Sequence, residues 1–333
     1  MGKSDDLKSI ENIVIKIQKL DKQIEVLSIR LKNALGINKN NSSNFNQQSG
    51  MYWKSVAYGD SFIRLRLFLK QNFNYIEPMG LLAVTRYLFE LTVWLKLMQI
   101  DEKYGYVYHY ELIKTKLKYY KNLQEHLIRE ITFLRDMDTE EKQLSEQRLS
   151  EAKLSQEALI SDSELLQQNL LLQISIVDSV AQEIDNKASR RFSIYGEQAQ
   201  TNGYGLQAHL VETKKLPEIE QSISEIEIEK LNFENNISAD IELSTGYTWK
   251  WRDRDKTTWN WSNKAQEVDM KNDYDFIYRY TSTLLHATPV SLTTEQKNLE
   301  TDEVKIFLKY IHIRLLDIID MAEQLVRIYE NKT

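Results

Sequence analysis

Residues 81–100, LLAVTRYLFELTVWLKLMQI, decide the fold of this chain. Wound into a helix, this stretch has apolar side chains on nearly every face, and such a helix is buried at the centre of a domain. Arg86 and Glu90 interrupt it near the middle, four residues apart and therefore on one face. The stretch predicts a helical domain that is built around this helix and contains an Arg–Glu pair.

The composition favours an all-α fold. Among 333 residues only 10 are Gly and 3 are Pro, whereas folds with many strands and tight turns need more of both. Leu, Ile, Glu, Lys and Gln are abundant, and residues of these types are common in long helices.

Several kinds of site are excluded or disfavoured. The chain has no Cys, which excludes a disulfide scaffold and a zinc–thiolate site. Its five His are scattered without a metal-binding spacing, so we expect no metal and no cofactor. No Walker A, dinucleotide-binding, serine-hydrolase or EF-hand motif occurs.

Charge and hydropathy bear on partners and location. The net charge is −6, so we do not expect a surface that coats nucleic acid broadly, although it leaves room for a local basic patch. The start, MGKSDDLKSIENIV, lacks the apolar region of a signal peptide, and no run approaches 18 apolar residues. We expect a cytoplasmic protein without membrane contact.

A heptad repeat marks the N-terminal segment and predicts a coiled-coil helix over residues 1–35 that ends at Gly36. An Asn/Ser/Gln-rich flexible linker is expected at 36–50. The seam must pack against a partner. That partner is a second copy of the chain, another protein, or the core of this same chain. Its apolar positions alternate in steps of three and four residues: Ile10, Ile13, Ile17, Leu20, Ile24, Leu27 and Leu31.

The remainder is predicted to form a helical core in two parts, residues 51–136 and 245–333. Between them, 137–244 is expected to be an inserted helical hairpin, which is a second candidate surface for a homodimer or a partner protein. Pro78 separates the first two core helices, because proline ends a helix or begins one.

Within the hairpin, residues 139–190 are predicted to form one long helix and 217–242 a returning helix. Leucines at every fifth position, from Leu144 to Leu159, spiral around a helix rather than forming one seam, which indicates a solvated arm. Downstream, the apolar positions are denser and are expected to pack: Leu166, Leu170, Ile174 and Ile176.

The stretch GYTWKWRDRDKTTWNWSNK, residues 246–264, predicts the only β-structure, a small Trp-rich β-hairpin with two W-x-W strands. Basic residues interleave with the tryptophans, as in surfaces that bind single-stranded RNA. Alternatively, the tryptophans pack on the helices and the charged tip is a solvated turn. The candidate RNA-binding residues are Trp249, Trp251, Arg252, Arg254, Trp259 and Trp261.

A candidate catalytic set lies late in the chain. Arg279, Ser282 and His286 share one face of a predicted helix, since seven residues make nearly two turns. Arg can bind a phosphate bidentately, and His can transfer a proton near neutral pH. With RNA the 2′-hydroxyl is an internal nucleophile, so this chemistry needs no metal.

This Arg-x6-His pattern late in an all-α domain resembles the signature of the HEPN superfamily. Many of its members are metal-independent ribonucleases in toxin–antitoxin, abortive-infection and antiviral systems, and they typically dimerise to build a composite site. The resemblance implies a HEPN-like helical core, a homodimer and RNA as a partner.

A wider pattern is similar to a family of uncharacterised bacterial helical proteins. It consists of Arg86-x-x-x-Glu90, then Trp-Asn-Trp-Ser at 259–262, then Tyr-x-x-x-Tyr-Arg with Ser and His at 274–286. It covers about 51–136 and 245–333, but not the predicted hairpin, and it implies that Arg86, Glu90 and Tyr278 support the site.

Two functions from different classes follow. The first is a bacterial defence or toxin-type effector with metal-independent endoribonuclease activity at a dimeric Arg/His site. The second is a non-catalytic helical scaffold or sensor subunit of a multi-protein antiviral defence assembly. In that case the Arg279, Ser282 and His286 set is a buried polar network, because buried charges are normally paired.

Overall fold

The computed structural model describes residues 3–41, 50–70, 78–154, 163–236, 241, 244–246, 260–285 and 299–331. Every element among these residues is a helix, as the composition predicts. The chain divides into two compact units. One combines Met1–Glu111 with Glu234–Thr333, and the other is Leu112–Phe233.

Twelve α-helices and two π-helical turns make up the described part of the chain. In chain order they are α1 (Lys3–Asn41), α2 (Gly50–Leu69), α3 (Pro78–Ile100), α4 (Tyr104–Leu154), α5 (Ser163–Ala188), α6 (Gly196–Asn202), α7 (Tyr204–Leu210), a π-turn (Val211–Lys215), α8 (Leu216–Asn236), α9 (Trp261–Glu267), α10 (Lys271–Asp273), a second π-turn (Tyr274–Tyr278), α11 (Arg279–Leu285) and α12 (Thr301–Glu330).

Helix α3 is the central helix of the first unit, as its apolar sequence predicts. Leu88, Phe89 and Val93 are fully buried, and the helix packs against α2, α9, α11 and α12. It begins at Pro78, where a missing N–H costs nothing because the first turn of a helix leaves its N–H groups unpaired.

The N-terminal seam packs within its own chain. Ile17, Ile24 and Leu31 are buried, and α1 contacts α12 and α2. Arg66 of α2 adds ion pairs to Asp21 at 3.1 Å and Glu25 at 2.7 Å. Among the partners that the sequence left open, the described residues show packing on the chain's own core.

The predicted end of this helix at Gly36 is wrong. Helix α1 continues to Asn41, so residues 36–41 of the expected linker are helical. A glycine inside a helix costs only about 1 kcal/mol, which does not stop a long helix. The remaining linker residues 42–49 lie outside the described part of the chain.

Two glycines allow α2 and α4 to cross closely at their starts. A Cβ on Gly50 would lie 2.2 Å from the carbonyl oxygen of Glu102, and one on Gly105 would lie 2.1 Å from the carbonyl oxygen of Gly50. Backbone therefore contacts backbone, and any side chain at either position would force the helices apart.

In the second unit, the prediction of one helix over 139–190 is wrong. Helix α4 runs without interruption from Tyr104 to Leu154, and α5 lies antiparallel to it. Lys187 pairs with Glu140 and Arg148 with Glu183, whereas a single helix would separate the first pair by about 70 Å. The unit Leu112–Phe233 contains most of the predicted insertion at 137–244.

The core of this unit lies where α4, α5 and α7 meet. Residues Leu134, Val180, Ile184 and Val211 are fully buried there. The returning helix starts earlier than predicted, at Tyr204. Its π-turn Val211–Lys215 precedes Pro217, and a widened turn accommodates a proline ring that would otherwise clash with the preceding turn.

The predicted β-hairpin is contradicted at its second strand. Trp261 is the first residue of helix α9, and the Asn260 side chain caps that helix by accepting from the N–H groups of Ser262 (2.9 Å) and Asn263 (3.3 Å). Asn is among the strongest N-cap residues, so this cap was readable from the sequence. The other five RNA-binding candidates lie outside the described residues: Trp249, Trp251, Arg252, Arg254 and Trp259.

Among the described residues, no helix combines the length and the hydropathy that a membrane crossing requires.

Candidate functional site

The site is built on the central helix α3. Arg86 and Glu90 lie one turn apart, and Arg86 Nε donates to Glu90 Oε1 at 3.0 Å. Both side chains are about 30% exposed, at 28% and 30%. Burial lowers the pKa of Arg86, but the hydrogen bond to Glu90 and the charge of that carboxylate outweigh it, so the pKa lies above its usual value. The guanidinium is a permanent cation.

The second part of the site is the segment from Lys271 to Leu285, which packs against α3. Its middle is the π-turn Tyr274–Tyr278, in which the two tyrosine rings stack with centroids 5.0 Å apart and planes at 17°. Single π-helical turns within α-helices often occur at functional sites, because they change which side chains face a neighbour.

Arg86 joins the two parts. Its Nη2 donates to Tyr278 Oη at 3.2 Å and its Nη1 to Ser282 Oγ at 3.4 Å. The guanidinium also lies 4.8 Å from the centroid of the Tyr278 ring, a cation–π distance. Burial raises the pKa of Tyr278, which keeps its hydroxyl protonated. Residues almost 200 positions apart thus form one polar cluster, Arg86–Glu90–Tyr278–Ser282.

Aromatic rings surround this cluster on the protein side. Phe89 lies 5.3 Å from the Tyr278 ring and Trp261 lies 6.3 Å from it, and Trp261 meets Trp94 edge-on at 6.5 Å. Trp261, which was expected to contact RNA from a strand, therefore packs beside the cluster. Apolar surroundings of this kind lower the local dielectric constant and so strengthen the electrostatic interactions of Arg86.

Arg279 is not part of the polar cluster. Its side chain is 65% exposed and faces Asp275 at 3.5 Å. It also lies 5.5 Å from the Tyr274 ring, which Lys271 Nζ approaches to 4.9 Å. The structure therefore brings together Arg86, Glu90, Tyr278 and Ser282, and leaves Arg279 at the solvent side of the same helix.

Sequence reasoning missed Lys271, Asp275 and the role of Tyr274. Lys271 Nζ donates to Ser262 Oγ at 2.6 Å and to Asp275 Oδ1 at 3.2 Å, so it connects α9 to the site segment. The available signal was the four-residue spacing of Lys271 and Asp275 and of Tyr274 and Tyr278, which puts each pair on one helix face.

Tyr280, directly after Arg279, attaches the site helix to α12. Its hydroxyl donates to Glu303, and the other oxygen of Glu303 accepts from the Glu300 N–H at 2.8 Å at the start of α12. Burial and the bond to Glu303 raise the pKa of Tyr280 to about 12.

His286 lies outside the described residues, so its distance from Arg279 and Ser282 stays a prediction. Across the described part of the chain, no cluster of three or more Asp, Glu or His side chains could hold a metal ion. The described site places the cations of Lys271 and Arg279 beside the stacked rings of Tyr274 and Tyr278. The guanidinium of Arg86 lies against the Tyr278 ring and is held there by hydrogen bonds.

Residues 179–306 match the model of a family of unknown function, DUF5677. The match is well under half of the chain. It includes Tyr278, Arg279, Ser282 and His286 but neither Arg86 nor Glu90. No curated protein and no solved structure is significantly similar to the chain.

Proposed function

We propose that this protein is a bacterial defence or toxin-type effector with metal-independent endoribonuclease activity, on a HEPN-like helical core that works as a homodimer. Arg279 binds the scissile phosphate, His286 transfers protons, and Ser282 orients the reacting groups. Arg86, Glu90 and Tyr278 hold Ser282 and its helix in place.

The observation that carries this proposal is the contact of Arg86 with Ser282 and Tyr278. A partly buried cation is fixed against Ser282, which lies four residues before His286 in the sequence. Arg279, seven residues before His286 in the sequence, has a side chain that is 65% exposed. It lies 3.5 Å from Asp275, a long distance for an ion pair. A phosphate can therefore approach it from outside.

The proposed reaction is balanced and needs no co-reactant. The 2′-oxygen of the substrate gives its proton to His286 and attacks the adjacent phosphorus. The bond from phosphorus to the 5′-oxygen breaks, and His286 returns the proton to that oxygen. The products are a 2′,3′-cyclic phosphate and a 5′-hydroxyl end. Arg279 binds two phosphate oxygens and stabilises the charge that develops on them.

The test uses purified protein and a labelled single-stranded RNA in the presence of a metal chelator. We expect His286→Ala to lower the cleavage rate at least about 100-fold. Arg279→Lys keeps the charge but loses the bidentate fork, so it should retain a fraction of the activity. Thr283→Ala is the matched control, because Thr283 is exposed on the same helix and its hydroxyl donates to the backbone carbonyl of Arg279.

Induction in a bacterial host provides the second readout. The intact protein should arrest growth and fragment RNA, whereas His286→Ala should do neither. Full cleavage and full toxicity in a folded His286→Ala variant would show that the proposed mechanism is wrong.

A non-catalytic scaffold or sensor subunit is the second candidate. It is favoured by the hydrogen bonds that Arg86 makes to Glu90, Tyr278 and Ser282, which suit a structural network as well as a catalytic one. If the intact protein and His286→Ala behave alike in both assays, and a stable partner co-purifies with each, the scaffold function replaces the nuclease.

A further inference from the structure

Two cations of the site segment converge on a single carboxylate oxygen. Lys271 Nζ donates to Asp275 Oδ1 at 3.2 Å, and Arg279 Nε lies 3.5 Å from the same oxygen. The two cationic nitrogens are therefore no farther apart than these two distances combined. One carboxylate faces two cations, so the three side chains together keep a net positive charge.

The ring of Tyr274 restricts both cations. Lys271 Nζ lies 4.9 Å from the ring centroid and the guanidinium carbon of Arg279 lies 5.5 Å from it, and both are cation–π distances. Tyr274 in turn stacks on Tyr278, which accepts a hydrogen bond from Arg86. Long cationic side chains lose rotamer freedom when they bind a ligand, so contacts that restrict them beforehand reduce the cost of binding.

Lys271 is also held by a second helix. Its Nζ donates to Ser262 Oγ of α9 at 2.6 Å, and its side chain is 39% exposed. An ammonium group has three N–H donors. Among the described residues, Ser262 and Asp275 accept two of them, which leaves one donor for a ligand that approaches from solvent.

A phosphate group suits the two cations better than Asp275 does. Charge-assisted N–H···O bonds are about 2.7–2.9 Å long, whereas Arg279 Nε lies 3.5 Å from the carboxylate oxygen. The non-bridging oxygens of a phosphate can each accept one such bond, so a single phosphate can bridge two nitrogens at this separation. Asp275 Oδ1 marks the position that a phosphate oxygen would take, and the carboxylate competes with it.

We propose that Lys271 is a second phosphate-binding residue of this site, and that Asp275 weakens RNA binding by competing for Lys271 and Arg279. This inference rests on the proposed ribonuclease function, in which Arg279 binds the scissile phosphate. Lys271 contacts the same phosphate. Contacts to the phosphate backbone contribute affinity without reading the base sequence.

The test measures binding separately from cleavage. The probe is a short, fluorescent, single-stranded RNA with 2′-O-methyl groups, which has no nucleophilic hydroxyl. Fluorescence anisotropy gives its affinity at several salt concentrations. Lys271→Gln should weaken binding about 10-fold and reduce the steepness of log affinity against log salt by about 0.7, the share of one phosphate contact on a single strand. Asp275→Asn should tighten binding about 3-fold, because a competing carboxylate is lost.

Two controls separate a direct contact from an indirect effect. Lys142→Gln makes the same substitution in an ion pair of the same four-residue spacing in the second unit, Lys142 with Asp138, and should leave affinity and salt dependence unchanged. If Lys271 only neutralised Asp275, its loss would have no effect once that residue is Asn. We expect that Lys271→Gln still weakens binding in the Asp275→Asn protein.

The outcomes distinguish this inference from the nuclease proposal. Unchanged affinity and salt dependence in a folded Lys271→Gln protein that cleaves RNA would overturn the role of Lys271 alone. Failure of the wild-type protein to bind the probe would overturn it as well. The expected changes in a protein that does not cleave RNA would support phosphate binding and count against the nuclease alone. If circular dichroism shows that Lys271→Gln is unfolded, Asp275→Asn decides, and unchanged affinity there would overturn the inference.

Discussion

Replacing Gly105 by Ala tests the close crossing of α2 and α4. The added Cβ would lie 2.1 Å from the carbonyl oxygen of Gly50 and 2.9 Å from its carbonyl carbon. Non-bonded heavy atoms need about 3.5 Å, so the helices must separate by more than about 1 Å. The clash is with backbone, and no rotamer change relieves it.

The two opposing effects can be compared. Overpacking of this kind costs about 1–3 kcal/mol, whereas the better helix propensity of Ala returns at most about 1 kcal/mol. The cost of the crossing should exceed the gain in helix propensity, and we expect a net destabilisation of about 1 kcal/mol for Gly105→Ala. The assay is urea unfolding followed by circular dichroism, in which a less stable protein unfolds at a lower urea concentration.

Gly59 provides the matched control within α2. A Cβ there has no neighbouring atom within 4 Å, so Gly59→Ala should stabilise the protein by about 0.5–1 kcal/mol through propensity alone. The two identical substitutions therefore have opposite predicted signs. A Gly105→Ala protein as stable as the wild type would refute the contact between Gly50 and Gly105.

Three further outcomes are expected. Ile17→Ala should lower stability by about 2–4 kcal/mol at every protein concentration, because Ile17 is fully buried within its own chain; a loss that depends on concentration would show that the seam joins two chains. Lys264→Met should lower the free energy of unfolding by about 2 kcal/mol, as measured by urea unfolding. Lys264 is 5% exposed, and its Nζ donates to the Thr245 carbonyl at 2.8 Å and to Glu267 at 2.9 Å. An unchanged urea midpoint would contradict these contacts. The pKa of Tyr280 is raised to about 12, so its neutral form is favoured in the folded state and its stabilising contribution, present below about pH 10, is lost as the pH rises towards 12. The difference in unfolding free energy between wild type and Tyr280→Phe should therefore shrink from pH 9 to pH 12, and a constant difference would contradict the bond to Glu303.

Much of the fold could be predicted because it depends on local periodicity. The buried helix at 81–100 and the start at Pro78 are both recorded in the spacing of apolar residues and breakers. Where the prediction failed, local signals were weak or ambiguous. Gly36 could end a helix or continue it, and the W-x-W of Trp259 and Trp261 suits a strand as well as a cap.

The candidate site could be predicted only in part. The sequence places Arg86 and Glu90 together and Tyr278 and Ser282 together, since each pair is four residues apart on a helix. It does not give the distance between the pairs, because that depends on how α3 packs against α11. The exposure of Arg279 was not predictable either, since the direction of a helix face is set by its neighbours.

Local sequence patterns suffice to predict the helical class, the central helix and the residue pairs along single helices. These depend on interactions within one or two helical turns. Three further features depend on tertiary packing: the seam packs on the chain's own α12, α5 folds back along α4, and Arg86 reaches Ser282. Each is a contact between segments far apart in sequence, and apolar periodicity specifies that a face must be buried without specifying what buries it.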